Sequence, residues 1–278
     1  MFEPDHQSVH NATALARRDE LPEVNYTGDQ ATYRGPVLAD VTCPDGLVTL
    51  TVDPAATVAR VRVFTEDRPD SPAADAARDT RIRQDAERLT VTVPKVKNGG
   101  GQVFGGGATY INGVQYSGNM TAVNGQVLGG GAQNVTRGVE VHVTLPAGSG
   151  VQYSGENGSL HTFGTVAAIR GESTNGSIKA EVVGRIEAEA GNGSVKVGTV
   201  TEWINAEASN GSVKVENHVG SEARVRAGNG SVNFTVGASA TGRIDIKAGN
   251  GTVKVYGLRG RPDLDVSLKA GNGTVKKF

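Results

Sequence analysis

The sequence predicts an all-β fold: a right-handed β-solenoid, parallel β-helix-like, of about seven ~20-residue coils behind a β-rich N-terminal cap containing one helix. Three observations predict it. First, Asn-Gly-Ser/Thr triplets start at Asn157, Asn175, Asn192, Asn210, Asn229, Asn250 and Asn272, at intervals of 18, 17, 18, 19, 21 and 22 residues. Second, apolar and polar residues alternate on both sides of each triplet, as in Ile204-Asn205-Ala206-Glu207-Ala208 and Val213-Lys214-Val215, the period of a strand with one buried face. Third, units aligned on the Asn form columns. Two residues before it stand Gly155, Ser173, Ala190, Ala208, Ala227, Ala248 and Ala270, all small. Three residues after it stand Leu160, Ile178, Val195, Val213, Val232, Val253 and Val275, all apolar. The next column, His161, Lys179, Lys196, Lys214, Asn233, Lys254 and Lys276, is polar and must face water.

The elements follow in order. Residues 1–35 read as a polar, poorly ordered arm. Residues 36–150 read as the β-rich lead-in, with alternating strands at Val48–Val52, Val58–Phe64, Leu89–Val93 and Val139–Leu145. Ala73–Leu89 reads as a helix, with Ser71 as N-cap and Pro72 at its first position. A Gly-rich insert, 98–131, holds 12 Gly in 34 residues and a small repeat, Thr109-Tyr110-Ile111-Asn112-Gly113 and Thr121-Ala122-Val123-Asn124-Gly125, which predicts two short hairpins. Residues 151–278 are the solenoid. In each unit Asn-Gly is expected to supply the positive φ of a tight turn. The asparagines are expected to hydrogen-bond one another from coil to coil.

An antiparallel meander is the rival topology. It pairs Glu172 with Lys179, Glu189 with Lys196 and Glu207 with Lys214 across each turn. The later units break it, because Lys247 would meet Lys254 and Lys269 would meet Lys276. Column identity through all seven units favours the solenoid.

Composition narrows the function. Aromatics are 5% of the chain and Gly is 39 of 278 residues, which argues against a large aromatic-lined pocket. The net charge of −1 argues against nucleic acid. Cys43 is the single cysteine, so there is no intrachain disulfide or cysteine-rich metal site. The five histidines lack ligand spacing, although His142 and His161 are placed to meet on neighbouring coils. Glu172, Glu189 and Glu207 form a column that follows the repeat, whereas a catalytic site should break it. The expectation is therefore no enzyme, no cofactor and no metal. Contact with a protein or glycan partner is expected through Phe104, Tyr110 and Tyr116 in the insert, and anions are expected at the column Lys179, Lys196, Lys214, Lys254 and Lys276. A self-assembling scaffold is the alternative, as a homodimer through the C-terminal coil, with a polysaccharide-active enzyme ranked below it. No signal-peptide or transmembrane stretch is apparent, so the expected location is cytoplasmic, or the surface by an unconventional route, without membrane insertion.

The order Gly46-Leu47-Val48-Thr49-Leu50, the Ala/Arg/Asp-rich segment Asp75 to Arg88, Leu89-Thr90-Val91-Thr92-Val93, then Val139 to Leu145 followed by Pro146-Ala147-Gly148 and the Asn-Gly-Ser-Val-Lys-Val array resembles the bacterial "putative adhesin" family of β-strand-repeat proteins. The resemblance covers about residues 36–278 apart from the insert. It implies a β-helix-like fold without catalytic activity, and the family has no catalytic motif to carry over. Its members are often secreted or membrane-tethered.

Overall fold

The computed structural model describes residues 22–28, 33–96 and 138–278, with the backbone of four short strands between 109 and 127. The lead-in comprises β1 (Glu23–Thr27), β2 (Leu38–Thr42), β3 (Gly46–Val52), β4 (Arg60–Phe64), α1 (Pro72–Arg78), β5 (Arg81–Asp85) and β6 (Arg88–Thr92). Two antiparallel pairs follow within the insert, β7 (Thr109–Ile111) with β8 (Val114–Tyr116) and β9 (Ala122–Val123) with β10 (Gln126–Val127). The array comprises β11 (Val139–Leu145), β12 (Gly150–Gly155), β13 (Ser159–Ser173), β14 (Ile178–Ala190), β15 (Val195–Ala208), β16 (Val213–His218), β17 (Glu222–Ala227), β18 (Val232–Val236), β19 (Arg243–Ala248), β20 (Val253–Tyr256), β21 (Asp265–Ala270) and β22 (Val275–Lys277).

The array is a parallel β-solenoid. Each unit pairs in register with the next: Leu160, Ile178, Val195, Val213, Val232, Val253 and Val275 are successive Cα partners. Strands before and after an Asn-Gly corner pair with neighbouring coils and not with each other, so the meander and its Glu–Lys pairs across the turn are absent. One sheet face carries β12, β17, β19, β21 and the second halves of β13, β14 and β15. The other carries β16, β18, β20, β22 and the first halves of the same long strands. Valine, isoleucine and alanine columns from both faces fill the space between, with Val195, Val213, Val232 and Val253 all at 0% exposure. Stacked coils share the cost of ordering that no single unit of modest side chains can offset.

The solenoid begins before the triplets do. β2 pairs parallel with β12 and β3 with the first half of β13, so residues 38–52 form a complete coil of their own. Asp45-Gly46 occupies the corner where later coils have Asn-Gly, because Leu47 is the partner of Ser159. A further coil lies above it: β6 pairs parallel with β2, and β11 with β3. Antiparallel strands then close this end, with β5 on β6, β4 on β11 and β1 on β4. Antiparallel edges covered in this way cannot propagate the parallel ladder.

Three local expectations are corrected. The helix is Pro72–Arg78 and not Ala73–Leu89; its N-cap is as expected, the Ala74 amide donating to Ser71 Oγ at 3.1 Å. It stops because Arg81-Ile82-Arg83 has period two, and Ile82 is buried where β5 meets β6. Within the segment read as a polar arm, Glu23–Thr27 is a strand, with Val24 buried and an Arg62–Glu23 ion pair at 2.9 Å; residues 1–21 lie outside the described residues. Finally, neither residue of any Asn-Gly corner has a positive φ. The glycines serve close approach instead. A Cβ on Gly176, Gly193, Gly211, Gly230, Gly251 or Gly273 would fall 1.6–1.8 Å from the carbonyl oxygen of the glycine one coil above.

Candidate functional site

The corner explains the triplet residue by residue. Each Asn donates from Nδ2 to Oδ1 of the Asn one coil above: Asn175 to Asn157 at 2.8 Å, Asn192 to Asn175 at 2.7 Å, and onward through Asn210, Asn229, Asn250 and Asn272. Asn157 donates to Asp45 Oδ1 at 2.7 Å. A side-chain carboxyl has no amide N–H to pass on, so Asp45 ends the ladder on the coil of residues 38–52. At the third position a hydroxyl oxygen accepts a backbone amide from the next coil at four of the steps, as Ser159 Oγ does from Ser177 at 3.0 Å. This edge is built for stacking, and its asparagine amides are paired from coil to coil.

The lysine column is the stronger candidate for contact. His161, Lys179, Lys196, Lys214, Asn233, Lys254 and Lys276 are successive register partners on one sheet face, about 4.8 Å apart. Two acids lie beside them. Glu216 pairs with Lys214 at 2.8 Å and Lys196 at 3.6 Å, and its carboxyl is held below its ordinary range by those ammonium groups. Glu181 accepts the Gly164 amide at 2.9 Å. Lys179, Lys254 and Lys276 form no ion pair among the described residues. His161 is half-buried above Lys179, and burial, then the Lys179 charge, lower its pKa. A shallow groove runs here past Phe163, Lys179, Glu181 and Lys196, and Phe163 is 48% exposed. At the far end Tyr256 and Phe278 stack at 4.7 Å, also exposed. Glu216 and Phe163 were not singled out from the sequence. Their signal is period two, since each lies two residues beyond a member of the column and so on the same face.

The insert leaves the solenoid at the same corner. β6 ends at Thr92 and β11 begins at Val139, the positions that an Asn-Gly turn joins in later coils. At this exit the Val96 amide donates to Asp45 Oδ2 at 3.3 Å, and Lys95 pairs with Glu156. Phe104 and the side chains of Tyr110 and Tyr116 lie outside the described residues. His142 and His161 do not meet, because Thr49 stands between them as the partner of both. Glu172, Glu189 and Glu207 do stack in register, on the opposite face from the lysines. Among the described residues no three His, Cys, Asp or Glu side chains converge to hold a metal ion, and no helix is long and apolar enough to cross a membrane.

Fold and corner together define a protein of the β-solenoid class, with about seven Asn-Gly coils. No protein-family model matches the chain, and no curated protein matches it. Among solved structures it is similar to a putative adhesin from Bacteroides fragilis, with 14% identity, 93% of this chain and 97% of that chain covered and a TM-score of 0.49. It is also similar to a putative adhesin from Parabacteroides merdae, with 14% identity, 93% and 96% covered and a TM-score of 0.47. A putative cell adhesion protein from Clostridium sporogenes matches at 10% identity, 93% and 99% covered and a TM-score of 0.37.

Proposed function

We propose that this chain is a non-enzymatic, adhesin-like binding module whose lysine face contacts an extended acidic glycan. The observation that carries the reading is the register of the column. It sets ammonium groups at one height on five coils, interrupted once at Asn233, and among the described residues Lys179, Lys254 and Lys276 form no ion pair. A single exposed ion pair contributes little. A row spaced by the strand repeat meets a polyanion at several points at once, so weak contacts add through effective concentration. Exposed rings at Phe163 and Tyr256 flank the row and offer flat apolar surfaces to a sugar ring. The adhesin label of the similar structures fits a binding role.

Polygalacturonate and neutral dextran of matched length are the probes, titrated onto the full chain by biolayer interferometry. Binding is expected for the polyanion alone, weakening as salt rises. The triple variant Lys179→Gln, Lys254→Gln, Lys276→Gln should lose at least about tenfold in affinity, since each tenfold step is about 1.4 kcal/mol. Equal affinity for both polymers, or an unchanged triple variant, refutes the reading. The exit of the insert beside Asp45 supports a second contact surface on that corner, and deletion of residues 98–131 tests it in the same assay.

A further inference from the structure

We propose that a second copy of this chain docks on the opposite sheet face, with its solenoid axis antiparallel to the first. The reason is one column of that face. Glu172, Glu189, Glu207, Arg226, Lys247 and Lys269 are successive register partners on six consecutive coils. All are exposed except Lys247, which is half-buried. The first three are acids and the last three are bases. Like charges directly stacked on neighbouring strands repel, and the chain does little to relieve them. Among the described residues only Lys247 has an ion-pair partner, Asp245 at 3.1 Å.

Such a column is complementary to itself when inverted. A two-fold axis along the strand direction, passing between the coils of Glu207 and Arg226, sets Glu207 against the second copy's Arg226. It likewise sets Glu189 against Lys247 and Glu172 against Lys269, each contact occurring twice. A parallel pairing would instead set every acid on an acid. The flanking columns permit the antiparallel arrangement. Glu187 would meet Asp245, and Arg185 would meet Arg243, but each brings its own counterion: Arg170 at 3.7 Å, Lys247 at 3.1 Å, Glu202 at 3.2 Å and Asp265 at 3.7 Å respectively. Six coils of about six residues make a face roughly 29 Å by 20 Å, from the strand spacing and rise. The total buried is then about 1,200 Å², the lower bound of a specific interface. An interface of that size held by charge is weak and salt-sensitive. A bound cation is the competing occupant of the acidic half, and it leaves the basic half unexplained.

Sedimentation velocity on the full chain tests the proposal. A dimer is expected at about 20 mM salt and a monomer at about 500 mM, either side of the ionic strength where charges are screened within ~10 Å. The triple variant Glu172→Lys, Glu189→Lys, Glu207→Lys should be a folded monomer at both. Adding Arg226→Glu, Lys247→Glu and Lys269→Glu restores an inverted, self-complementary column and should restore the dimer. Orientation is read by a short bis-maleimide cross-linker, since the native Cys43 is buried. A Glu207→Cys variant should cross-link to its own copy, whereas Glu172→Cys should not, because two-fold symmetry sets those residues about 24 Å apart along the axis. A monomer at low salt, a dimer that survives the triple substitution, or cross-linking at Glu172→Cys each overturns it.

Discussion

Replacing Gly211 by alanine measures how tightly the corners stack. An ideal Cβ at Gly211 sits 1.6 Å from the Gly193 carbonyl oxygen and 2.6 Å from its carbonyl carbon. Both are backbone atoms and no rotamer change removes them. Relief requires the two corners to part by about 1.5 Å, which takes ordinary hydrogen bonds past the length at which they hold. Three are at stake: Asn210 N–H to Gly191 O at 2.8 Å, Ser209 N–H to Ala190 O at 2.9 Å, and Asn210 Nδ2 to Asn192 Oδ1 at 2.8 Å. At about 0.5–1.5 kcal/mol net for each, the loss is about 2–4 kcal/mol. For a chain of this size that is roughly 5–15 °C in melting midpoint. Gly273→Ala meets the same obstacle, 1.7 Å from Gly251 O, and should lower the midpoint likewise. The assay is thermal melting by far-ultraviolet circular dichroism, with hydrogen exchange to locate the opening. A Gly211→Ala midpoint within a degree or two of the parent's would refute the close-approach account.

Two further outcomes follow from the same packing. His218 is fully buried, packs on Phe234 at 5.4 Å and has no hydrogen-bond partner on either ring nitrogen among the described residues; burial pushes its pKa from 6.5 down to about 4. The unfolded chain takes up that proton near pH 6.5 and the folded chain only near pH 4. Stability from this site is therefore whole above pH 6.5 and falls by about 3 kcal/mol as pH drops to 4. Urea midpoints of the parent should decline across that window by more than those of a His218→Leu variant, and equal declines would remove His218 as the cause. Val213→Asp, between Val195 and Val232 with no exposure, should cost more than about 3 kcal/mol by burying an unpaired charge. Lys214→Ala, one residue on and exposed, loses only a surface pair with Glu216 and should change the melt by less than about 1 kcal/mol. Similar melts for the two would mean that the facing is wrong.

The sequence made the repeat legible because its columns are chemical. A valine stripe, a small-residue stripe and an amide at every corner each appear as residue types at fixed offsets. What it hid depended on distance or on backbone contact. The coil at residues 38–52 belongs to the array, yet its corner reads Asp45-Gly46, with more than 100 residues between it and Asn157. The role of the corner glycines was misread because Gly suits both positive φ and a crowded neighbour, and the neighbour is another coil. The Ala-rich segment after Pro72 overstated its helix, since Arg81-Ile82-Arg83 is short enough to read either way until Ile82 finds a strand partner. The lysine column was visible as a column. Which of its members have counterions was not, because Glu216 reaches Lys196 one coil away.

The asparagine ladder also explains how the units vary in length without losing register. Intervals range from 17 to 22 residues and lengthen toward the later coils, yet every Asn from Asn175 onward still meets the Asn above at 2.6–2.8 Å. The additional residues are taken up on the far side of the coil. β14 and β15 run through that side as continuous strands, whereas later coils break there into loops at 219–221, 237–242 and 257–264. Arg261 ties two of those loops together, donating to Gly237 O and Ala238 O at 3.1 Å and to Ala240 O, while Asp263 receives its Nε at 2.9 Å. A polar corner can fix register in this way because its amides have one satisfied arrangement. A slip by one residue would leave them unpaired and turn every valine outward. The corner therefore specifies alignment, the valine columns supply most of the cohesion, and the two outer faces are left free to carry charge patterns that neither task requires.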